Sequence, residues 1–218
     1  MTYLKRYWPV VYLVLYRLFI SRYFLRGIFD PIWFGVFAYL LLAGLGLLTF
    51  REEWRRGLKV LKRQKEKIVF WLLSGFVANF VFQILFGIVS QFLLAMIGQA
   101  DYVLQNEEHV AHLLTSVPLP LVLLAAGISG PLVEELAYRV VIFSYLKKWL
   151  PLGLAMTVQA VIFGMIHMHV LSWAEFLSVL PHMGSGLVFG YLYHKTESLP
   201  ISWGVHSLWN IMALLLGA

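Results

Sequence analysis

Cysteine is absent from the 218-residue sequence, and charged residues make up only 13% of it. Without cysteine the chain can form no disulfide, no thiol nucleophile and no thiolate-bound metal site. Hydrophobic residues reach 61% and the mean hydropathy is +0.79, whereas an ordinary soluble domain is about half apolar and a quarter charged. The composition therefore predicts an integral membrane protein.

The net charge of +6 does not indicate a nucleic-acid-binding protein. Eight of the 17 Lys and Arg residues lie in the single segment 51–67, between two apolar runs. A basic segment in that position is typical of a cytoplasmic loop that lies next to anionic lipid headgroups. We expect the lipid bilayer as a partner of the chain, and no nucleic acid.

The apolar stretches predict an all-α polytopic bundle of about seven transmembrane helices, since one span needs about 20 apolar residues. The predicted spans are 7–25, 30–50, 68–98, 118–146, 151–171, 176–194 and 199–217. Arg17 interrupts the first span, and 68–98 is too long for one upright helix, so it is expected to tilt or to extend beyond the bilayer.

The loop charges predict the orientation of the chain. Basic residues recur in alternate loops, at the N-terminus, in 51–67, at 147–148 and at 195, whereas the loop around Asp101 is acidic. The positive-inside rule then places the N-terminus and the segment 51–67 on the cytoplasmic side of the membrane. We therefore expect a multi-pass protein of the plasma membrane. If the first span lies on the membrane surface instead, only the N-terminal end changes side.

Three charges lie within the apolar stretch GPLVEELAYRV, and each costs roughly 2.5–3.5 kcal/mol at the centre of a membrane. Glu135 and Arg139 are four residues apart, which predicts an ion pair on one helical face. Glu134 lies about 100° around the helix and needs another partner.

The next predicted span offers that partner in His167. Glu134 and His167 lie about sixteen residues on either side of the turn near Pro151, so antiparallel helices would place them at the same depth. A carboxylate and an imidazole that share a proton can act as a general base toward water.

The last span carries His206 and Asn210, four residues apart on one face. Both side chains can donate hydrogen bonds to a developing oxyanion. Counting residues from the turn near Ser198 predicts that they lie about 6–12 Å shallower than Glu134, unless tilt, a re-entrant start or a break at Pro200 closes the gap.

Together these residues form three motifs in order: EExxxR (Glu134, Glu135, Arg139), FxxxH (Phe163 to His167) and HxxxN (His206 to Asn210). In this order, on successive late spans, they resemble the CPBP family of CAAX proteases and bacteriocin-processing enzymes, also called the Abi or type II CAAX protease family. The resemblance covers about residues 118–217, which divides the chain into an N-terminal helical part, 1–117, and a catalytic helical core, 118–218.

The resemblance implies an intramembrane endopeptidase that uses water as its nucleophile. Glu134 with His167 would activate the water, His206 and Asn210 would stabilise the oxyanion, and Glu135 with Arg139 would hold the helix in place. Zinc bound by Glu134, His167 and His206 is the alternative route. The absence of a His-x-x-x-His pair favours the metal-free route.

The implied substrate is a peptide or a membrane protein, in bacterial peptide processing or in bacteriocin self-immunity. Two other functions compete with proteolysis. One is a non-catalytic immunity or binding protein on the same scaffold, and the other is a proton-coupled transporter, because intramembrane Glu, His and Arg also form proton relays. Transporters often contain internal repeats, and none is evident in this sequence.

Overall fold

The computed structural model describes residues 8–16 and 30–217, and this part of the chain is helical without a β-strand. Residues 8–16 form a helical stretch ahead of nine helices in the range 30–217. In chain order these are α1 (Pro31–Thr49), α2 (Arg51–Arg63), α3 (Ile68–Met96), α4 (Gln105–Ser116), α5 (Leu119–Leu146), α6 (Leu152–Met165), α7 (Trp173–Ser178), α8 (Leu180–Thr196) and α9 (Leu199–Leu216). The predicted all-α membrane bundle is confirmed.

Four helices in the described part are long and apolar enough to cross a bilayer, namely α1, α3 with the turn before it, α5 and α9. Helix α6 is apolar but has only 14 residues, and α8 has 17. The predicted number of seven spans is not confirmed, and most of the predicted span 7–25 lies outside the described residues.

Helix α3 is one unbroken helix of 29 residues, which corresponds to about 43 Å at 1.5 Å per residue. That length exceeds the roughly 30 Å hydrocarbon core of a bilayer, as the sequence predicted for 68–98. Large apolar side chains such as Phe70, Leu73 and Val77 are exposed along it. In a membrane this outer face of α3 lies against lipid.

The predicted spans 151–171 and 176–194 differ from the helices that form. Helix α6 ends at Met165, and the second span is divided into α7 and α8. Pro181 sits in the first turn of α8, where its missing N–H is tolerated, but it cannot extend α7 into α8. The fully buried Glu175 of α7 holds the loop before this helix. It accepts hydrogen bonds from the His169 backbone N–H at 3.0 Å and from the Tyr102 hydroxyl.

Helix α2 packs against the start of α9. A Cβ atom at Gly57 would lie 2.5 Å from Pro200 Cδ, so only glycine allows this approach. Ser198, which is fully buried, donates its hydroxyl to the Gly57 carbonyl at 3.3 Å. Ser198 and the first residues of α9 are therefore buried against α2, whereas Glu197 beside them stays exposed.

Helix α8 lies at the centre of the bundle, packed on α3, α6 and α9. Its glycines allow close contacts with the neighbouring helices. A Cβ atom at Gly186 would lie 2.9 Å from Ala160 Cα, and one at Gly190 would lie 2.5 Å from Gln159 Nε2. Helices α6 and α8 are thus held in contact over more than one turn.

We predict that Gly186→Ala lowers the melting temperature of the protein in detergent. The new methyl group would meet the backbone of α6, and overpacking of this kind costs about 1–3 kcal/mol. Gly87→Ala is the matched control, because no atom lies within 4 Å of a Cβ there and both sites gain helix propensity equally. Equal melting temperatures for the two variants would contradict this packing.

Candidate active site

The two adjacent glutamates lie in the middle of an irregular helix. Within α5, the α-helical turn Gly130–Glu135 is flanked by two π-helical stretches, Leu123–Ser129 and Leu136–Phe143. Such π-helical insertions are rare and occur preferentially at functional sites. Glu134 and Glu135 are both buried at the end of this α-helical turn.

Glu135 and Arg139 form the predicted ion pair, with both side chains fully buried. Arg139 Nη2 lies 3.1 Å from Glu135 Oε1, and Arg139 Nε donates to Glu135 Oε2 at 3.2 Å. Arg139 also donates to the Gln159 side-chain carbonyl on α6, and its guanidinium lies 4.6 Å from the centre of the Phe163 ring. The pair therefore connects α5 to α6.

Gln159 is a site residue that the sequence analysis did not identify. It is fully buried, and its amide nitrogen donates to the Gly186 carbonyl of α8 at 2.8 Å. A neutral polar residue on an apolar helix carries no charge to attract notice. The available signal was its position eight residues before His167, close to the same helical face.

His206 of α9 lies between the two glutamates. Its Nδ1 is 3.2 Å from Glu135 Oε1, and its Nε2 is 3.7 Å from Glu134 Oε2. An ionised carboxylate only accepts hydrogen bonds, so Nδ1 carries the hydrogen in the contact with Glu135. Glu135 thereby turns the other ring nitrogen toward Glu134, while Phe189 stacks on the imidazole with a centroid distance of 4.5 Å.

The prediction that His206 lies shallower than Glu134 is wrong, because the two side chains are in contact range. The residue count assumed that the turn before α9 lies at the end of the bundle, level with the turn before α6. Ser198 is instead buried against α2, a contact that a residue count does not include.

His167 follows the end of α6 and is oriented by two neighbours. Its Nδ1 lies 3.2 Å from the Phe163 carbonyl, to which it donates, and its ring lies 4.0 Å from the ring of His182 on α8. Within residues 30–217, no hydrogen bond or ion pair joins His167 to Glu134. The Glu134–His167 pair stays a prediction. His167 Nε2 is the ring nitrogen left for a contact with Glu134 or with water.

Asn210 lies on the same face of α9 as His206, and its side-chain amide donates to the Ala126 carbonyl of α5 at 3.1 Å. The contact joins α9 to the first π-helical stretch. One of its two amide hydrogens is therefore used within the protein, and its predicted role toward an oxyanion is not tested by this contact.

The residues considered as zinc ligands do not form a metal site in this geometry. Across residues 8–16 and 30–217, no three His, Cys, Asp or Glu side chains converge as metal ligands would. We therefore derive no step through a metal.

Comparison with known proteins gives one family and two relatives. Residues 116–212 match the family described as "Type II CAAX prenyl endopeptidase Rce1-like", and this range contains all three sequence motifs. The chain is 24% identical over 156 residues to YdiL of Bacillus subtilis (strain 168), named as a candidate membrane peptidase. It is 28% identical over 155 residues to the "Membrane-embedded CAAX protease MroQ" of Staphylococcus aureus (strain USA300).

The alignments cover 70% of this chain for YdiL and 68% for MroQ. They span 59% and 58% of the two relatives, so the chain matches less than two thirds of either protein's length. No solved structure matches the chain.

We predict that Glu135→Gln lowers stability by about 3–5 kcal/mol, because it leaves the fully buried Arg139 without its counter-charge. The double variant Glu135→Gln/Arg139→Met removes both charges and should be more stable than the single variant, since the stability changes caused by substitutions at contacting residues do not add. Thermal unfolding in detergent measures both, with the exposed Glu52→Gln as the control. Additive losses would contradict a coupled pair.

Proposed function

We propose that the chain, whose residues 116–212 match the Rce1-like family of CAAX prenyl endopeptidases, is a membrane endopeptidase that activates water with Glu134. The observation that carries this proposal is the 3.7 Å approach of Glu134 Oε2 to His206 Nε2, with Glu135 fixing the other side of the ring. The substrate is a peptide or a segment of a membrane protein.

Exposure distinguishes the two glutamates. The side chain of Glu134 keeps about 10% of its surface exposed, whereas that of Glu135 keeps none. Glu134 Oε2 is buried without a hydrogen-bond partner among the described residues, while Glu135 is bound to Arg139 and His206. Of the two side chains, only that of Glu134 has exposed surface and an oxygen not already bound, so we assign Glu134 as the general base and Glu135 as the residue that orients His206.

Charge balance favours a shared proton in this site. With Arg139 positive and Glu135 negative, one proton shared by Glu134 and His206 leaves the group of four residues neutral overall. A neutral group is favoured in a site shielded from water, where an unpaired charge is costly. When His206 holds the proton, Glu134 is a base and His206 Nε2–H is a donor, which are the two functions that hydrolysis needs.

The reaction then proceeds in two steps. Glu134 takes a proton from water while the water oxygen attacks the carbonyl carbon, and His206 Nε2–H donates to the oxyanion that forms. In the second step Glu134 gives the proton to the amide nitrogen, the C–N bond breaks, and a carboxylic acid and an amine leave; the acid keeps the second hydrogen of the water until it ionises in bulk water. His167, with Nε2 free of the Phe163 carbonyl, is proposed to accept a hydrogen bond from that second hydrogen.

We also propose a setting for this activity. The CAAX protease named among the relatives suggests peptide or protein processing, and bacteriocin self-immunity is an alternative use of the same hydrolysis. The basic helix α2 supports a cytoplasmic position for the segment 51–67 in a bacterial plasma membrane.

We predict that Glu134→Gln reduces hydrolysis by about 10²–10⁴-fold, the usual contribution of a general base, and leaves the melting temperature unchanged. Glutamine keeps the shape of the side chain, and Glu134 Oε2 makes no hydrogen bond to the described residues that would be lost. Terminal-labelling proteomics of cells with the wild type or Glu134→Gln identifies cleaved substrates, and purified protein then confirms them.

His206→Ala and His167→Ala should also abolish cleavage, whereas the exposed Glu52→Gln should retain full activity. Full cleavage by purified Glu134→Gln would exclude the proposed base. Survival of the in-vivo function without cleavage would instead support a binding or immunity protein on this scaffold.

The orientation can be tested with single cysteines, because the sequence contains no cysteine of its own. We predict that Gln99→Cys, exposed after α3, reacts with a membrane-impermeant maleimide in intact cells. Lys62→Cys, exposed on α2, should react only after lysis. The opposite labelling pattern would overturn the proposed orientation.

A further inference from the structure

The first π-helical stretch of α5 contains a backbone carbonyl whose donor is missing. In a π-helix each N–H bonds to the carbonyl five residues earlier, and the Gly130 N–H closes such a bond to Ala125. The next bond in the series would run from residue 131 to the Ala126 carbonyl. Residue 131 is proline, which has no N–H, so the backbone cannot supply this bond.

Asn210 of α9 supplies a donor at that point. Its Nδ2 lies 3.1 Å from the Ala126 carbonyl oxygen, within normal hydrogen-bond distance. In a membrane no water is at hand to satisfy a buried carbonyl, so such a side-chain donor stabilises the irregular helix. The amide therefore takes the place of the N–H that Pro131 lacks.

Two further contacts join α9 to the same stretch. Trp203, seven residues before Asn210 and on the same face, donates its indole N–H to the Ile128 carbonyl at 3.1 Å. A Cβ atom at Gly127 would lie 2.9 Å from Ile211 Cγ1, so the helices approach closely there. The π-helical stretch is thus the surface on which α9 docks.

We propose that Asn210 is a positioning residue: it completes the π-helical stretch interrupted by Pro131 and locks α5 to α9 with Glu134 opposite His206. Glu134 lies three residues after Pro131, and His206 lies four residues before Asn210, so this bond is about one helical turn from each functional side chain. The catalytic consequence rests on the proposed function, whereas the helix-locking consequence does not.

This role differs from that of an oxyanion donor, which the family resemblance implies for Asn210. An oxyanion donor acts on the transition state, so its loss lowers kcat and leaves the resting structure intact. A positioning residue acts on the resting structure, so its loss loosens the π-helical stretch and displaces Glu134 from His206.

Three variants separate the two roles: Asn210→Ala, Pro131→Ala and the double variant. Alanine at 131 restores a backbone N–H that can bond to the Ala126 carbonyl. We expect Asn210→Ala to lower the melting temperature by roughly 2–4 °C. We expect its kcat to fall by about ten- to hundredfold, with little change in KM. The double variant should recover most of both losses.

Hydrogen–deuterium exchange gives a readout that needs neither a substrate nor a stable proline variant. Asn210→Ala should speed exchange in residues 123–130. Ser207→Ala is the matched control, because it removes a buried hydroxyl without a hydrogen-bond partner from the same helix and should leave exchange unchanged.

Unchanged exchange and melting temperature in Asn210→Ala would overturn the proposal, as would a folded double variant that stays as inactive as Asn210→Ala. If the wild type hydrolyses no peptide at all, the proposed function fails, and the exchange experiment still tests whether Asn210 holds the π-helical stretch.

Discussion

The arrangement of the helices depends on one buried ion pair. Glu135 and Arg139 are fully buried, and charges in such a place are tolerated only when partners surround them. Helix α6 supplies Gln159 and the Phe163 ring to Arg139, and α9 supplies His206 to Glu135. A pair of charges on one helix thus requires two other helices to converge on it, and the candidate active site forms where they meet.

The convergence places the neighbouring glutamate for the role proposed above. Glu135 is fully buried, while the side chain of Glu134, one residue earlier, keeps some exposed surface and lies beside the nitrogen that Glu135 has turned toward it. Helix α2 contributes from outside the site, because Gly57 accepts the Ser198 hydroxyl and packs on Pro200 at the start of α9. The basic segment therefore has a structural role in addition to the effect on topology that the sequence predicts.

Sequence reasoning predicted those features that depend on local spacing. The i, i+4 ion pair and the all-α class follow from helical periodicity and from the length of the apolar stretches. It failed at the start of α9, since nothing in the sequence around Ser198 indicates that the distant Gly57 will pack on it. The compensation of Pro131 by Asn210 is equally non-local, because 79 residues separate a missing donor from its replacement.

The contact between His206 and Glu135 is the claim on which this account rests most heavily, and solid-state NMR of ¹⁵N-histidine-labelled protein in bilayers tests it directly. The His206 signals can be assigned by their loss in His206→Asn. The account predicts a hydrogen on Nδ1 whose chemical shift changes in Glu135→Gln. A neutral ring with its hydrogen on Nε2, unaffected by Glu135→Gln, would contradict it.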